Sequence, residues 1–421
     1  MSKIIVHIDL NQFFVRCEEI KNPLLVNKAV AVGGDGRRGI ISTCSYKARE
    51  YGIHSGMPTF QARMLCKDLI VLNGDYEFYE LMSKEFIDYI KKFTLKIEQA
   101  SCDECYCDFT DFFERYKNVN PTIFFKRLQD GLFKKTQLKC SIGIAPTKFL
   151  AKMGSDYQKP MGITIIRKKD IPTIIFPLKV GDFFGIGKKT APKLEKMGIK
   201  TIGDLYYGLK DDDEKLNDYF LNSKNFIFDC LEGNSSDEVH NTYDPAKSIG
   251  MTRTLDYNTN DKNYIRNFYE KIVDRLIVNF QKENMLCKTI QVTYKDADCE
   301  SGFKTTTHSK SFSDYTNSKE LIKTEAMKLF DKSFNNQIIR LVGFTIKNLV
   351  PKHDVTVQMT FDNYERHESE NKTQLLINKL NREYKKEIFS RLSDKKVNKK
   401  WKYSMPSINI YIFWKLKKAY L

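Results

Sequence analysis

The chain has 421 residues, with 69 Lys and Arg against 53 Asp and Glu, a net charge of +16. Hydrophobic residues make up 41% and aromatics 13%, which excludes a mainly disordered chain and, at ~100–200 residues per domain, implies several domains. The basic excess is larger than solubility requires and points to a polyanionic partner, nucleic acid first and an acidic membrane surface second.

The amino-terminal MSKIIVHIDLNQFF has no long apolar stretch ending in a cleavage site, and no run reaches the ~18–20 apolar residues of a membrane span. A cytoplasmic protein without a membrane partner is expected. Ten Cys without a secretory signal read as reduced thiols, and six His are too few to suggest a His-based metal site.

Residues 3–9 form a short apolar run that suits a buried strand, with Asp9 emerging at its C-terminal end. A second strand over 28–34 leads into the turn GDGRRG, with Arg37 and Arg38, and then into STCSYKARE. Helical spacing predicts helices over 75–93 and 122–136, residues 97–109 read as a hairpin, and 139–145 as a strand. This mixture through the first 165 residues indicates an α/β or α+β domain of catalytic size. From about Pro172 to Gly233, short helices alternate with glycine turns. The polar segment GNSSDEVHNTYDPA (233–246) is the linker candidate. Residues 247–350 alternate strand-like runs with two amphipathic helices, a small α+β domain, and 351–421 form a Lys-rich tail with one helix near 373–392 and an apolar end.

Four constellations carry chemistry. Asp9, Asp103 and Glu104 form the first. Neighbours on a regular strand face opposite ways, so Asp103 and Glu104 reach one site only where the alternation breaks, as at a hairpin tip. Converging carboxylates need cations, and hard oxygen donors select Mg2+ or Mn2+. Two such ions ~3.5–4 Å apart clamp in-line displacement at phosphorus. Ordinary surface acids fit the same residues, since the chain has 53 acidic side chains. Tyr46, Lys47, Arg49 and Lys159 offer a guanidinium fork, point charges and a hydroxyl suited to a triphosphate; alone, they also read as a solvated charged face. Gly185 and Gly187, followed by Lys188 and Lys189 and two helix starts, read as a helix–hairpin–helix that binds DNA phosphates without regard to sequence. In the trio Cys102, Cys105 and Cys107, the alternation of the last two favours core packing over a zinc site, which needs four ligands.

Together, HIDLNQFFVRCEE, RRGIISTCSYKAREYGIHSGMP, SCDECYCDFTD, CSIGIAPTKFLAKMGSDYQKPMG, GIGKKTAPKLEKMGIKTIGDL, AKSIGMTRTL and IIRLVGFTIKNL resemble, in order, Y-family translesion DNA polymerases of the DNA polymerase IV type. The resemblance covers about residues 1–350. It implies a right-hand polymerase: palm 1–12 and 75–166, fingers 13–74, thumb 167–236, linker 237–246, an additional α+β little finger 247–350, and a C-terminal tail 351–421. It implies metal ligation by Asp9, Asp103, Glu104 and the Leu10 carbonyl, with two Mg2+ that Mn2+ can replace. Phe14 becomes the steric gate against a ribose 2′-OH, with Phe13 beside it, and Tyr46, Arg49 and Lys159 the triphosphate contacts. Lys148 and Lys152 are read as scaffold or backbone contacts. DNA contacts fall at Gly185, Gly187, Lys188 and Lys189, and at Lys247, Ser248 and Arg253. Departures from the family pattern are Asn11, in place of a second acidic residue, and Cys44, Cys105 and Cys107.

Within VQMTFDNY (357–364), Gln358, Met359 and Phe361 resemble a degenerate sliding-clamp peptide. The implied partners are primer–template DNA, dNTP and a bacterial sliding clamp, with the protein a monomer. The implied activity is template-directed DNA synthesis past damaged bases. Two other classes stay open on the residues alone: a metal-dependent DNA-repair nuclease, and a catalytically silent DNA-binding accessory protein.

Overall fold

The structure, a computed structural model, describes residues 3–241, 245–297 and 304–352. The tail helix, the clamp-peptide residues Gln358, Met359 and Phe361, and the apolar end lie outside the described residues. The described chain forms two compact units, over residues 3–241 and 245–352. No helix among the described residues is long and apolar enough to cross a membrane.

The first unit runs β1 (Ile5–Leu10), α1 (Phe13–Lys21), β2 (Val30–Gly33), β3 (Ile41–Cys44), α2 (Tyr46–Arg49), α3 (Thr59–Leu65), β4 (Ile70–Leu72), α4 (Tyr76–Ile90), β5 (Ile97–Gln99), β6 (Glu104–Asp108), α5 (Thr110–Arg115), α6 (Pro121–Thr136), β7 (Cys140–Ala145), α7 (Lys148–Tyr157) and β8 (Ile163–Ile165). Four short helices follow: α8 (Ala191–Lys196), α9 (Ile202–Lys210), α10 (Glu214–Tyr219) and α11 (Lys224–Leu231). Strands β5-β6-β1-β7-β8 form one sheet and β3-β2-β4 a smaller one.

Period-two alternation gives the large sheet two different faces. Val6, Ile8, Cys105, Cys107 and Ile142 turn to one side and join Phe86, Phe109, Phe125 and Leu132 from α4, α6 and the intervening loop in a buried core. That core also takes Phe13, Val15 and Cys17 of α1. Cys105 and Cys107 are therefore core residues, their Sγ atoms 3.7 Å apart, while Cys102 is exposed. The opposite face carries His7 and Asp9 of β1 and Glu104 and Tyr106 of β6, and α7 lies over it. Close approach of α7 requires Gly143 on β7: a Cβ there would stand 1.9 Å from the Ala151 carbonyl oxygen and 2.4 Å from the Ser155 nitrogen.

Residues 237–241, within the linker candidate 233–246, are bonded to the sheet at β5 and at Lys3 before β1. Asn241 Oδ1 accepts from the Ile97 N–H at 2.8 Å, Glu98 Oε2 accepts from the His240 N–H at 2.9 Å, and Asp237 pairs with Lys3. An edge strand leaves donors and acceptors unpaired, and a polar segment satisfies them without needing periodicity of its own.

The second unit comprises β9 (Ser248–Thr259), α12 (Lys262–Lys282), β10 (Met285–Asp296), β11 (Thr305–Thr316), α13 (Lys319–Ser333) and β12 (Ile339–Pro351). Its strands pair antiparallel in the order β11-β10-β12-β9. The two helices pack on one face over Tyr269, Tyr294, Phe330 and Phe344. A hydroxyl and amide network, Asn348 to Thr289 to Ser311, runs between the strands.

Candidate active site

In the ladder between β1 and β6, Asp9 stands directly opposite Glu104, and His7 opposite Tyr106. Helix α7 delivers Lys152, Ser155, Asp156 and, just beyond its end, Lys159 to the same place, at spacings of three, four and seven residues that keep one helical face. Lys152 Nζ lies 3.0 Å from Asp9 Oδ2 and 2.8 Å from Glu104 Oε2, so one buried ammonium bridges both carboxylates. Lys159 Nζ lies 2.9 Å from the same Asp9 oxygen and 2.7 Å from Asp156 Oδ1.

The electrostatics follow from burial against pairing. Burial opposes the charge on Lys152 and on Lys159, but the attraction of Asp9 and the neighbouring acids outweighs it and raises both pKa values. Burial likewise works against the Glu104 carboxylate, and the His7 hydrogen bond and the Lys152 charge overcome it, bringing Glu104 down to about 2. Asp103 goes the other way: burial, with Asp9 and Glu104 nearby, raises its pKa. His7 is fully buried, and burial lowers its pKa. The Ser155 hydroxyl lies 2.9 Å from the Lys152 carbonyl and 2.8 Å from His7 Nδ1, so its one proton can serve either acceptor. His7 Nε2 faces Glu104 Oε2, 3.4 Å away.

Asp103 sits at the tip of the β5–β6 hairpin, outside the regular strand, where its carbonyl accepts from the Leu10 N–H at 2.8 Å and its carboxylate accepts from the Ser101 hydroxyl. The alternation breaks there, so Asp103 and Glu104 both approach Asp9. Across the gap, Tyr46 and Arg49 lie on α2, the guanidinium 4.9 Å from the Tyr46 ring centre. Phe14 stacks on Tyr79 at 4.5 Å, and the Tyr79 hydroxyl donates to Glu18. Asp9, Leu10, Phe13, Phe14, Tyr46, Arg49, Asp103 and Lys159 all line one cavity of about 370 Å³. Glu104 lies just behind it, bridged to Asp9 by Lys152.

The remaining expected residues lie elsewhere. Gly185, at φ 116°, and Gly187, Lys188 and Lys189 form an exposed turn before α8, anchored by buried Ile186. Lys247, Ser248 and Arg253 lie at the start of β9 and along it, in the second unit. Lys148 pairs with Glu98 and donates to the Glu238 carbonyl, a scaffold contact. Lys152, by contrast, reaches the centre of the acidic cluster, because α7 is pressed onto the sheet at Gly143. Sequence reading also passed over His7, Gln12, Ser155 and Asp156. The spacing of Lys152, Ser155, Asp156 and Lys159 is a helical stripe that could have signalled two of these, Ser155 and Asp156. Asn11 is buried, its Nδ2 donating to Ser141 and its Oδ1 accepting from the Met161 N–H at 2.9 Å, so it braces the loop that carries Lys159.

The donors fit a hard divalent cation. One oxygen each from Asp9 and Glu104 and a His7 nitrogen lie within 4.8 Å of one another, Asp103 approaches from the tip, and the Lys152 ammonium already occupies the position of a positive charge between the carboxylates.

Residues 8–156 match the impB/mucB/samB family, residues 168–199 the helix–hairpin–helix motif of that family, and residues 246–361 its C-terminal domain. The DNA polymerase IV of Oceanobacillus iheyensis is 33% identical over 403 residues, 93% of this chain and 92% of that protein. That of Bacillus velezensis is 36% identical over 389 residues, 91% of each chain. Among solved structures, a Y-family DNA polymerase chimera, Dbh-Dpo4(243-245)-Dbh, aligns with a TM-score of 0.71 at 25% identity, over 82% of this chain and 99% of that one. A Dbh ternary complex aligns with a TM-score of 0.56 at 26% identity.

Proposed function

The chain belongs to the impB/mucB/samB family, the Y-family DNA polymerases of the DNA polymerase IV type, and from that premise we propose that its cleft joins dNTPs to a primer 3′-OH as a template dictates, including opposite damaged bases. The fold is that of a right-hand polymerase with a little finger, and DNA and nucleotide are its partners. The observation that carries the assignment of residues is the convergence of Asp9, Asp103, Arg49 and Lys159, from segments far apart in the chain, on one cavity.

The activity depends on divalent metal. In our reading, Asp9, Asp103, Glu104 and the Leu10 carbonyl hold two Mg2+, for which Mn2+ can substitute. Ions bound there supply a lowered pKa at the primer 3′-OH and positive charge beside the leaving pyrophosphate. The 3′ oxygen attacks the α-phosphorus, the bond to pyrophosphate breaks, and the 3′ proton is lost. Arg49, Tyr46 and Lys159 hold the β- and γ-phosphates and neutralise charge that moves onto them. For this, Lys159 exchanges its pairing with Asp9 for the triphosphate while Asp156 keeps its base in place. Phe14, backed by the stacked Tyr79 ring, closes the space a ribose 2′-OH would need.

Gly185, Gly187, Lys188 and Lys189, and in the second unit Lys247, Ser248 and Arg253, grip duplex phosphates, so binding weakens steeply with salt and ignores sequence. Palm (1–12, 75–166), fingers (13–74), thumb (167–236), linker (237–246) and little finger (247–350) divide the work. Gln358, Met359 and Phe361 in the tail (351–421) would dock a bacterial sliding clamp. The protein acts as a monomer in the cytoplasm.

Primer extension with Mg2+ and dNTPs tests the proposal. Elongation is expected, and Asp103→Ala should lower it by at least about 10³-fold with primer–template binding retained. Shortening of the primer would indicate a nuclease, an unchanged primer a silent accessory protein, and full synthesis by Asp103→Ala would refute the site.

A further inference from the structure

Gln12 stands between the carboxylates and the triphosphate contacts, and neither the resemblance nor the chemistry above gives its side chain a role. It follows β1 at φ 45° and ψ 46°, the left-handed region, which a non-glycine residue holds only where its surroundings impose it. Although it occupies the N-cap position of α1, its side chain makes no capping bond there. Instead its Oε1 accepts from the Tyr46 N–H at 2.9 Å and its Nε2 donates to Glu19 Oε1 at 3.0 Å. The amide has one possible orientation, because a backbone N–H only donates and a carboxylate only accepts.

Glu19 is itself held. Its other oxygen accepts from Arg16 Nη1 at 3.0 Å, and Arg16 Nε donates to the Gln137 carbonyl just past α6, 2.8 Å away. A continuous chain of bonds therefore runs from the frame of the large sheet to the first residue of α2. The other anchor of α2, the Ser45 hydroxyl, bonds back to Lys28 and Val30 in the small sheet. Gln12 is the tie that reaches α2 from the strand of Asp9, three residues away in sequence.

We propose that Gln12 is a positioning residue for nucleotide binding, setting the distance from Tyr46 and Arg49 to the carboxylates of β1. This rests on the reading of those two side chains as triphosphate contacts. Without the tie, α2 answers only to the small sheet, and a bound triphosphate must itself order the gap. The loss falls on dNTP affinity rather than on primer–template affinity or folding.

Gln12→Met keeps the length of the side chain and removes both bonds. Steady-state single-nucleotide insertion should show the dNTP KM raised about tenfold, the equivalent of one or two net hydrogen bonds. The same variant should show kcat lowered less than about threefold, and primer–template Kd and Tm near the parent values. Gln12→Glu sets two carboxylates against each other and should raise KM at least as much. The double variant Gln12→Glu/Glu19→Gln exchanges donor and acceptor and should return KM to within about threefold of the parent. An unchanged KM in Gln12→Met, or a double variant no better than Gln12→Glu, overturns the inference. Arg49→Ala in the same assay separates it from its premise. If that change raises KM and Gln12→Met does not, the positioning role alone fails; if neither moves KM, the triphosphate assignment fails as well.

Discussion

On one bank of the cleft, Asp9 and Glu104 sit on paired strands, Lys152 and Asp156 on a helix pressed against them through Gly143, and Asp9 Oδ2 and Glu104 Oε2 both meet the Lys152 ammonium. On the other bank, Tyr46 and Arg49 ride a helix of four residues, joined to the first bank by the Gln12 amide. The first bank concentrates buried charge, so its integrity is a matter of stability. The second is half exposed and little strained by its own charges, so disturbing it should be read in ligand binding. Buried ion pairs are costly to break, whereas surface cations contribute little to the fold.

The contrast can be broken or sharpened by substitution, beginning with the largest expected change. Phe14→Ala, on the sugar side, should improve insertion of ribonucleotides relative to dNTPs by about 10²-fold or more while leaving Tm near the parent value. Equal discrimination in the variant and the parent would remove Phe14 from the gate. Arg49→Ala should raise the dNTP KM by about 10²-fold with metal-free Tm unchanged; a drop in Tm without a change in KM would reverse the distinction between the banks. Lys152→Met should do the opposite in metal-free protein. It leaves Glu104 without its ammonium and Asp9 with Lys159 alone, and should cost about 2–3 kcal/mol by denaturant unfolding, much of it restored by Mn2+. Stability indifferent to that change would show that Lys152 is not the counter-charge.

The smallest effect is a pH dependence. Glu104 has a folded pKa of about 2 against an ordinary 4.5, so its ionisation stabilises the fold above about pH 4.5 and that stabilisation is lost as the pH falls toward 2. Metal-free Tm should fall over this window, less steeply for Glu104→Gln. Asp103 has the reverse sign, since its pKa is raised: ionisation works against the fold as pH rises through the folded value. Asp103→Asn should accordingly raise metal-free Tm at neutral pH, and a lower Tm would show that the charge is better accommodated than its burial suggests.

Much of the molecule could be read before any fold was known. The apolar run KIIVHID placed Asp9 at the C-terminal end of a buried strand, and period-two alternation in the CDECYCD run required a break at Asp103, which the hairpin tip provides. Cys105 and Cys107 were legible as core residues for the same reason. Residues 233–246, in contrast, carry no periodicity and read as a linker, yet His240 and Asn241 bond to the β5 edge. Lys152 read as a scaffold or backbone contact, and nothing local marks it as the partner of a carboxylate 143 positions earlier.

Residue type and spacing alone determined which side chains share a face and where turns must break a pattern, and the resemblance to the polymerase family added that the acids, bases and glycines of a nucleotidyl-transfer site stand in order. What lies across from each face was decided only by tertiary packing: Lys152 over Asp9, Gln12 under Tyr46, Asn11 bracing the Lys159 loop. The reason is range. Periods of two and 3.6 residues act along the chain, whereas the approach of α7 to the sheet and the left-handed turn at Gln12 arise from contacts between segments that meet only once the cores have closed.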